Sequence, residues 1–220
     1  MPSDFVKNLV KICEEECDIF GDGAQKEYME TVYERVGNYW NALSKTPSFE
    51  HWATYNGRSE VEFEDNGSVD NSRNQPWSAA FISYVMRKAG AGDHFAYSSS
   101  HSTYIVRALK QAQKHTPTSA FIARRHKEYV PKLGDLIACE RLKTLSPSFD
   151  TYPGYVAENK YQAHCDVVTE VHSDHIATIG GNVSDSVRRK SWPLVGHGMI
   201  DNVDPWSPTA NVICIIENQL

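Results

Sequence analysis

The stretch Gln75-Pro76-Trp77-Ser78-Ala79-Ala80-Phe81-Ile82-Ser83 marks the change of texture on which the fold turns. Proline suits a first helical turn, where its missing N–H has no intrahelical partner to lose. Trp77 to Ala89 then predicts a buried helix. Gly90 can take the left-handed geometry that closes it. Upstream, residues 45–75 are polar and rich in Gly, Asn and Ser, so a long loop is expected there, with a short strand at Val61 to Phe63. A loop of that length in a small domain is often functional. Earlier still, Tyr28, Val32, Val36, Tyr39, Trp40 and Leu43 recur at helical spacing and predict a helix from Gln25 to Leu43. Gly21-Asp22-Gly23 separates it from a first helix capped by Ser3 and running to Phe20, with Phe5, Leu9, Ile12 and Cys13 on one face.

Downstream, Ser98 to Gln113 reads as another helix, after which the period shifts toward two. Gly134-Asp135-Leu136-Ile137-Ala138-Cys139 reads as a turn entering a strand. Cys165 to Val171, His175 to Ile179, Ser186 to Trp192 and Asn211 to Glu217 read as further strands. Helices first and strands later predict an α+β fold, its helices packed on an antiparallel sheet. Residues 1–70 form a helical N-terminal extension with its loop and 71–220 the main domain, together one compact unit.

Composition narrows the function classes. The chain has 220 residues, 40% of them hydrophobic, with 22 basic and 28 acidic side chains and a net charge of -6. That balance argues against nucleic-acid binding, which wants a basic face. Nothing approaches the ~20 apolar residues of a membrane span. Met1 to Phe20 carries Glu14, Glu15, Glu16 and Asp18 where a signal peptide needs apolar residues. Five scattered cysteines do not form a disulfide pattern and suit a reducing compartment. Cys13 and Cys17 have no second pair of ligands nearby, so they read as small buried hydrophobes.

Three segments carry the candidate chemistry: the Trp77-Ser78 helix start, the Gly134-Asp135-Leu136 strand, and His164-Cys165-Asp166-Val167-Val168 followed by Gly180-Gly181-Asn182. A residue at a helix start meets unpaired amides and the positive end of the helix dipole. On a strand, His164 and Asp166 share a face and Cys165 points to the other. Asp166 either supports His164 or faces solvent. Asn182 either orients that histidine or sits in a left-handed turn. His101, near the start of the next helix, either reaches the same groove, as a substrate contact or an alternative base, or caps at the surface. Trp77 either packs under Ser78 or walls the groove. His172-Ser173-Asp174-His175 is an HxxH, but a turn does not make its histidines converge with Asp166 on a metal. No metal and no cofactor is expected.

In their order, a Trp-x-Ala-x-Phe-Ile-Ser helix start, a Gly-Asp-Leu strand and a strand opening on His resemble the papain-like NlpC and CHAP peptidoglycan hydrolases. The resemblance spans roughly residues 72–185. The run Trp77-Ser78-Ala79-Ala80-Phe81-Ile82-Ser83 also resembles TseH-like antibacterial effectors of type VI secretion. It implies a papain-like fold and hydrolysis of amide bonds in peptidoglycan peptides. It further implies a catalytic set of Ser78, His164 and Asn182 and substrate contacts from Trp77, His101 and Asp166. It also implies delivery without a signal peptide from the producer's cytoplasm to the target periplasm, with an immunity protein and a secretion carrier as partners. The departure is Ser78, where the family has a cysteine. A hydroxyl is far less acidic than a thiol, so the helix dipole alone would not ionise it. Three readings stay open: a native serine nucleophile, a serine substituted for cysteine, or a fold that binds without cleaving.

Overall fold

The Ser3 hydroxyl accepts from the Val6 amide and starts α1 (Asp4–Ile19), which buries Val6, Leu9, Ile12, Cys13 and Cys17 on one stripe. A computed structural model of the chain describes residues 1–141, 148–158 and 162–220. The second helix, α2 (Tyr33–Ser44), begins later than the apolar spacing predicts. The Glu27 amide donates to the Asp185 carbonyl at 2.7 Å, so residues 26–32 turn toward a distant loop instead of joining the helix. The polar loop holds a 3-10 turn (Glu50–Thr54) and a hairpin of β1 (Glu62–Phe63) and β2 (Val69–Asp70). Then come α3 (Ser78–Ala89), closed by Gly90 at φ 98°, and α4 (His101–Ala112).

The rest is mostly sheet: β3 (Phe121–Arg124), β4 (Leu136–Glu140), a short α5 (Tyr152–Ala157), β5 (Ala163–Val171), β6 (His175–Gly180), β7 (Arg188–Val195), β8 (Met199–Ile200), β9 (Val203–Asp204) and β10 (Ser207–Asn218). The strands form a curled antiparallel sheet in the order β3-β10-β4-β5-β6-β7-β8, with β9 paired to β10. The last strand therefore inserts between β3 and β4, a non-local pairing that local pattern cannot reveal. The fold is α+β, as the order of patterns predicts.

The two sheet faces have separate cores. Leu136, Ala138, Cys165, Val167 and Ile179 pack with α1–α4. Ile137, Cys139, Val168, Ile176, Trp192 and Ile215 pack on the other side. All five cysteines are buried free thiols. Among the described residues no helix is long and apolar enough to cross a membrane.

One buried charge ties the first three helices together. Glu16, on α1, is fully buried. Its carboxylate accepts from Arg35 and Tyr39 of α2 and from Tyr84 of α3. Burying a carboxylate is tolerable only with such partners. Arg35→Met removes the cation while keeping most of the stem packing. It is expected to cost about 3 kcal/mol, read as a lower urea midpoint with an unchanged slope.

Candidate functional site

Ser78 is the first residue of α3, and Trp77 before it supplies no side-chain cap. The first-turn amides therefore carry no side-chain cap, the condition under which a helix start can meet a developing oxyanion. What fixes this helix start is Glu27. Its buried carboxylate accepts from Trp77 Nε1, and from Asn74 Nδ2 at 2.8 Å, so the strap leading into α3 is tied on both sides of Pro76. Burial raises the Glu27 carboxyl pKa against the pull of those donors.

The Ser78 hydroxyl does not stand alone. His101 Nε2 lies 2.7 Å from Ser78 Oγ. His101 is the first residue of α4, and Tyr104, three positions on and so on the same helix face, hydrogen-bonds His101 Nδ1 through its hydroxyl. The Tyr104 hydroxyl also meets the Cys165 thiol. His101 is 5% exposed. Burial first, then the neighbouring His164 and Arg141, hold its pKa well below the ordinary histidine value. It is therefore neutral at pH 7 and able to accept a proton.

His164 stands beside it, with the two imidazole centroids 5.3 Å apart. Its Nε2 is 2.7 Å from Asp166 Oδ1, so the shared strand face predicted for this pair is realised. Asp166 is in turn 3.0 Å from Lys190 Nζ, and Lys190 Nζ donates to Asp204 at 2.7 Å. Burial alone would raise the Asp166 carboxyl. Lys190 and His164 outweigh it and hold the group ionised, well below the usual carboxylate range. The same balance, burial against Asp166 and Asp204, keeps Lys190 charged with a raised pKa.

Two glycines let the pieces meet. A Cβ on Gly180 would fall 1.8 Å from Asp166 Oδ1 and 3.0 Å from His164 Nε2. A Cβ on Gly181 would fall 2.5 Å from the Phe81 side chain and 2.8 Å from the Trp77 ring. The end of β6 thus runs against both α3 and the His164–Asp166 pair with no room for a methyl group.

Two depressions flank these groups. One is lined by Ser78, His101, Trp40, Trp52, Gln75 and Arg141, among others. The other is lined by His164, Asn182, Glu140, Lys190, Asp204 and Trp206, among others. Arg141 borders both.

The sequence-expected residues thus gather at one place, with three corrections of role. Trp77 is fully buried between Phe20 and Tyr39, so it cannot touch substrate and instead supports the helix start. Asp166 is 2% exposed and acts on His164 rather than on a ligand. Asn182 sits at φ 56°, the left-handed turn that was its alternative reading. Among the described residues the side-chain partner of His164 is Asp166, not Asn182. His101 moves inward from the rim to the Ser78 hydroxyl. Lys190 went unread, although a lysine at an inward position of a strand, two residues before the buried Trp192, is a legible signal. Tyr104 is the other residue missed, although its place three positions after His101 on a predicted helix sets the two on one face.

The HxxH is elsewhere. His172 and His175 stack on each other at 4.3 Å and bond Glu170 and Asp174 at an exposed turn. Among the described residues no group of three or more His, Cys, Asp and Glu is arranged to hold a metal ion.

No curated protein and no solved structure matches the chain. A family model described as an uncharacterized protein conserved in bacteria (DUF2272) does match, over residues 27–211, a span that begins at the carboxylate holding Trp77 and takes in Ser78, both site histidines and Lys190; the chain belongs to that family.

Proposed function

We propose that this chain is a papain-like hydrolase of the NlpC/CHAP type that cuts amide bonds in peptidoglycan peptides, with Ser78 as nucleophile. The observation that carries the reading is the 2.7 Å contact between Ser78 Oγ and the buried His101 Nε2 at an uncapped helix start. The order of the three sequence segments supports the substrate class. The run around Ser78, similar to TseH-like effectors, supports an antibacterial role in a target periplasm, with an immunity protein as partner.

The chemistry follows from the positions. With Nδ1–H donating to the Tyr104 hydroxyl, His101 Nε2 is free to accept the Ser78 proton. Ser78 Oγ adds to the amide carbonyl, and the first-turn amides of α3 meet the oxyanion. The C–N bond breaks as the protonated histidine gives its proton to the leaving nitrogen. Water, deprotonated by the same imidazole, then cleaves the acyl-serine. Asp166, ionised beyond His164, supports the positive charge that builds on His101, against the opposing effect of His164 and Arg141. A second reading makes His164 the base, because a histidine oriented by an ionised carboxylate is the usual partner of a serine nucleophile and His164 has that carboxylate.

The variants separate these readings, assayed on purified muropeptides with chromatographic separation of products. Ser78→Ala is expected to fall to background; full turnover in that variant overturns the hydrolase proposal. His101→Ala is expected to lose ~10² to 10⁴-fold in kcat, and more than His164→Ala. The reverse order makes the His164–Asp166 pair the base.

The pH profile gives an independent check. A general base works deprotonated, and His101 is shifted below 6.5. The acidic limb of kcat/KM should therefore lie below pH 6.5, with activity undiminished between that pH and neutrality. A limb centred above 6.5 contradicts His101 as the base.

The close approach at β6 yields a test that leaves every reactive side chain chemically intact. Gly180→Ala puts a methyl group where Asp166 Oδ1 now lies. Misplacing the carboxylate by about 1 Å is expected to cost on the order of 10²-fold in kcat, with far-UV circular dichroism unchanged.

A further inference from the structure

The loop that follows β6 is strained and clamped. Asn182, Ser184 and Asp185 stand at φ 56°, 52° and 59°, three non-glycine residues in the left-handed region of one short loop. Such a run persists only where its surroundings over-determine it, and strain of this kind gathers at functional sites. Here the surroundings are residues 25–27. Lys26 Nζ donates to the Ser184 carbonyl at 2.8 Å, the Glu27 amide to the Asp185 carbonyl at 2.7 Å, and the Ser186 hydroxyl to the Gln25 carbonyl at 2.7 Å. The Glu27 carboxylate holds the strap into α3, so one short segment fixes this loop and the Ser78 helix start together.

Asn182 and Ser184 share the wall of the His164-side depression, about 250 Å³ in volume, with Trp206 and Ser207. Trp206 is 44% exposed, whereas Trp40, Trp77 and Trp192 are buried. It is nevertheless held in place. Its backbone amide donates to Asp204 Oδ1 at 2.8 Å, and the Arg188 guanidinium lies 4.4 Å from its ring centroid. A ring that is fixed and still open to water is a preformed contact surface. Around it, the Asn182 amide and the Ser184 and Ser207 hydroxyls reach solvent, and their side chains spend no hydrogen bond among the described residues. Each of these groups can both donate and accept. The charges in the wall balance, Glu140 and Asp204 against Arg141 and Lys190, so the depression offers no net charge to an ionic ligand.

We infer that the His164-side depression is a saccharide site, in which Trp206 takes the C–H face of a pyranose ring and Asn182, Ser184 and Ser207 meet its hydroxyl and acetamido groups. A neutral ring with an apolar face and a rim of hydroxyls is matched by an aromatic face beside neutral groups that donate and accept. On the hydrolase reading above, on which its role as a substrate subsite rests, that ring belongs to the glycan, and the peptide reaching Ser78 is cut close to its attachment to the sugar. The strained loop and the helix start, fixed by the same segment, then hold the sugar and the nucleophile in register.

The test reads binding, without turnover, on the full chain labelled with ¹⁵N and titrated at pH 7 with N,N′-diacetylchitobiose and, separately, with N-acetylalaninamide. The Trp206 indole N–H and the backbone amides of residues 182–185 are expected to move saturably with the sugar and to stay in place with the amino-acid amide. The buried Trp77 and Trp192 indoles should answer to neither. Trp206→Ala, an exposed substitution, should weaken the sugar affinity read at residues 182–185 at least ~10-fold. Asn182→Gly keeps the left-handed backbone and removes only the side chain. It should weaken sugar binding about 3-fold with no loss in thermal midpoint. No movement at Trp206 with the sugar, equal movement with the amino-acid amide, or a sugar affinity that survives either substitution overturns the inference. Sugar binding in a chain that cuts no muropeptide would overturn the hydrolase reading and leave this one standing. Cleavage of sugar-bearing and sugar-free peptides at equal rates, with no movement at Trp206, would do the reverse.

Discussion

The site depends on how closely the end of β6 approaches α3. Gly180 and Gly181 are the contact. One lies against the Asp166 carboxylate and the His164 ring, the other against Phe81 and the Trp77 ring. A helix start and a pair of charged strand residues cannot share a site if side chains intervene. Two missing side chains remove about one methyl's thickness on each side. The reactive hydroxyl and the second histidine then fall within one site, with His101 between them. Trp77 translates this approach into orientation. It is clamped by Phe20, Tyr39 and the Glu27 carboxylate, so the residue after it has little freedom.

Charge burial sets the second condition. Asp166, Lys190 and Asp204 form a chain in which the lysine is shared by two carboxylates, all nearly inaccessible to water. Such a group is a poor source of stability, because desolvating three ions consumes most of what their attraction returns. Its value lies in protonation state. With Lys190 beside it, Asp166 is held ionised, well below the usual carboxylate range. An ionised Asp166 accepts from Nε2–H of His164 and fixes that ring's tautomer, leaving Nδ1 free. Glu16 is the structural counterpart behind the helix start, where its partner Tyr39 packs on Trp77. It too is a buried carboxylate with several donors, and those donors, from α2 and α3, tie the two helices to its own.

Much of this was legible in the residues and their spacing. The helix start at Ser78, its stop at Gly90, and the face shared by His164 and Asp166 follow from periods of 3.6 and 2 and from the geometry of helix ends. What stayed illegible was non-local. β10 inserting between β3 and β4 leaves no trace in local pattern. The late start of α2 depends on the Asp185 carbonyl, more than 150 positions away. The partnership of Ser78 with His101 needed the crossing of α3 and α4, which sequence spacing does not fix. Asn182 was ambiguous by its chemistry, since the short amide that can orient a histidine is also one of the few side chains that tolerates a positive φ. Geometry resolves it toward the turn.

The serine at position 78 is where local chemistry and surroundings must agree. A thiol at a helix start can be activated by the dipole alone, and a base need only be nearby. A hydroxyl stays protonated there and needs a base in direct contact. This structure has that contact. The imidazole at 2.7 Å is kept neutral chiefly by burial, with His164 and Arg141 beside it adding to the shift, so it is a competent acceptor at neutral pH. On the hydrolase proposal this is the pairing that a serine nucleophile requires, whereas a fold that only binds places no such demand on the histidine. The Tyr104 hydroxyl on the far nitrogen, with the Cys165 thiol beyond it, completes the surroundings of a base suited to serine.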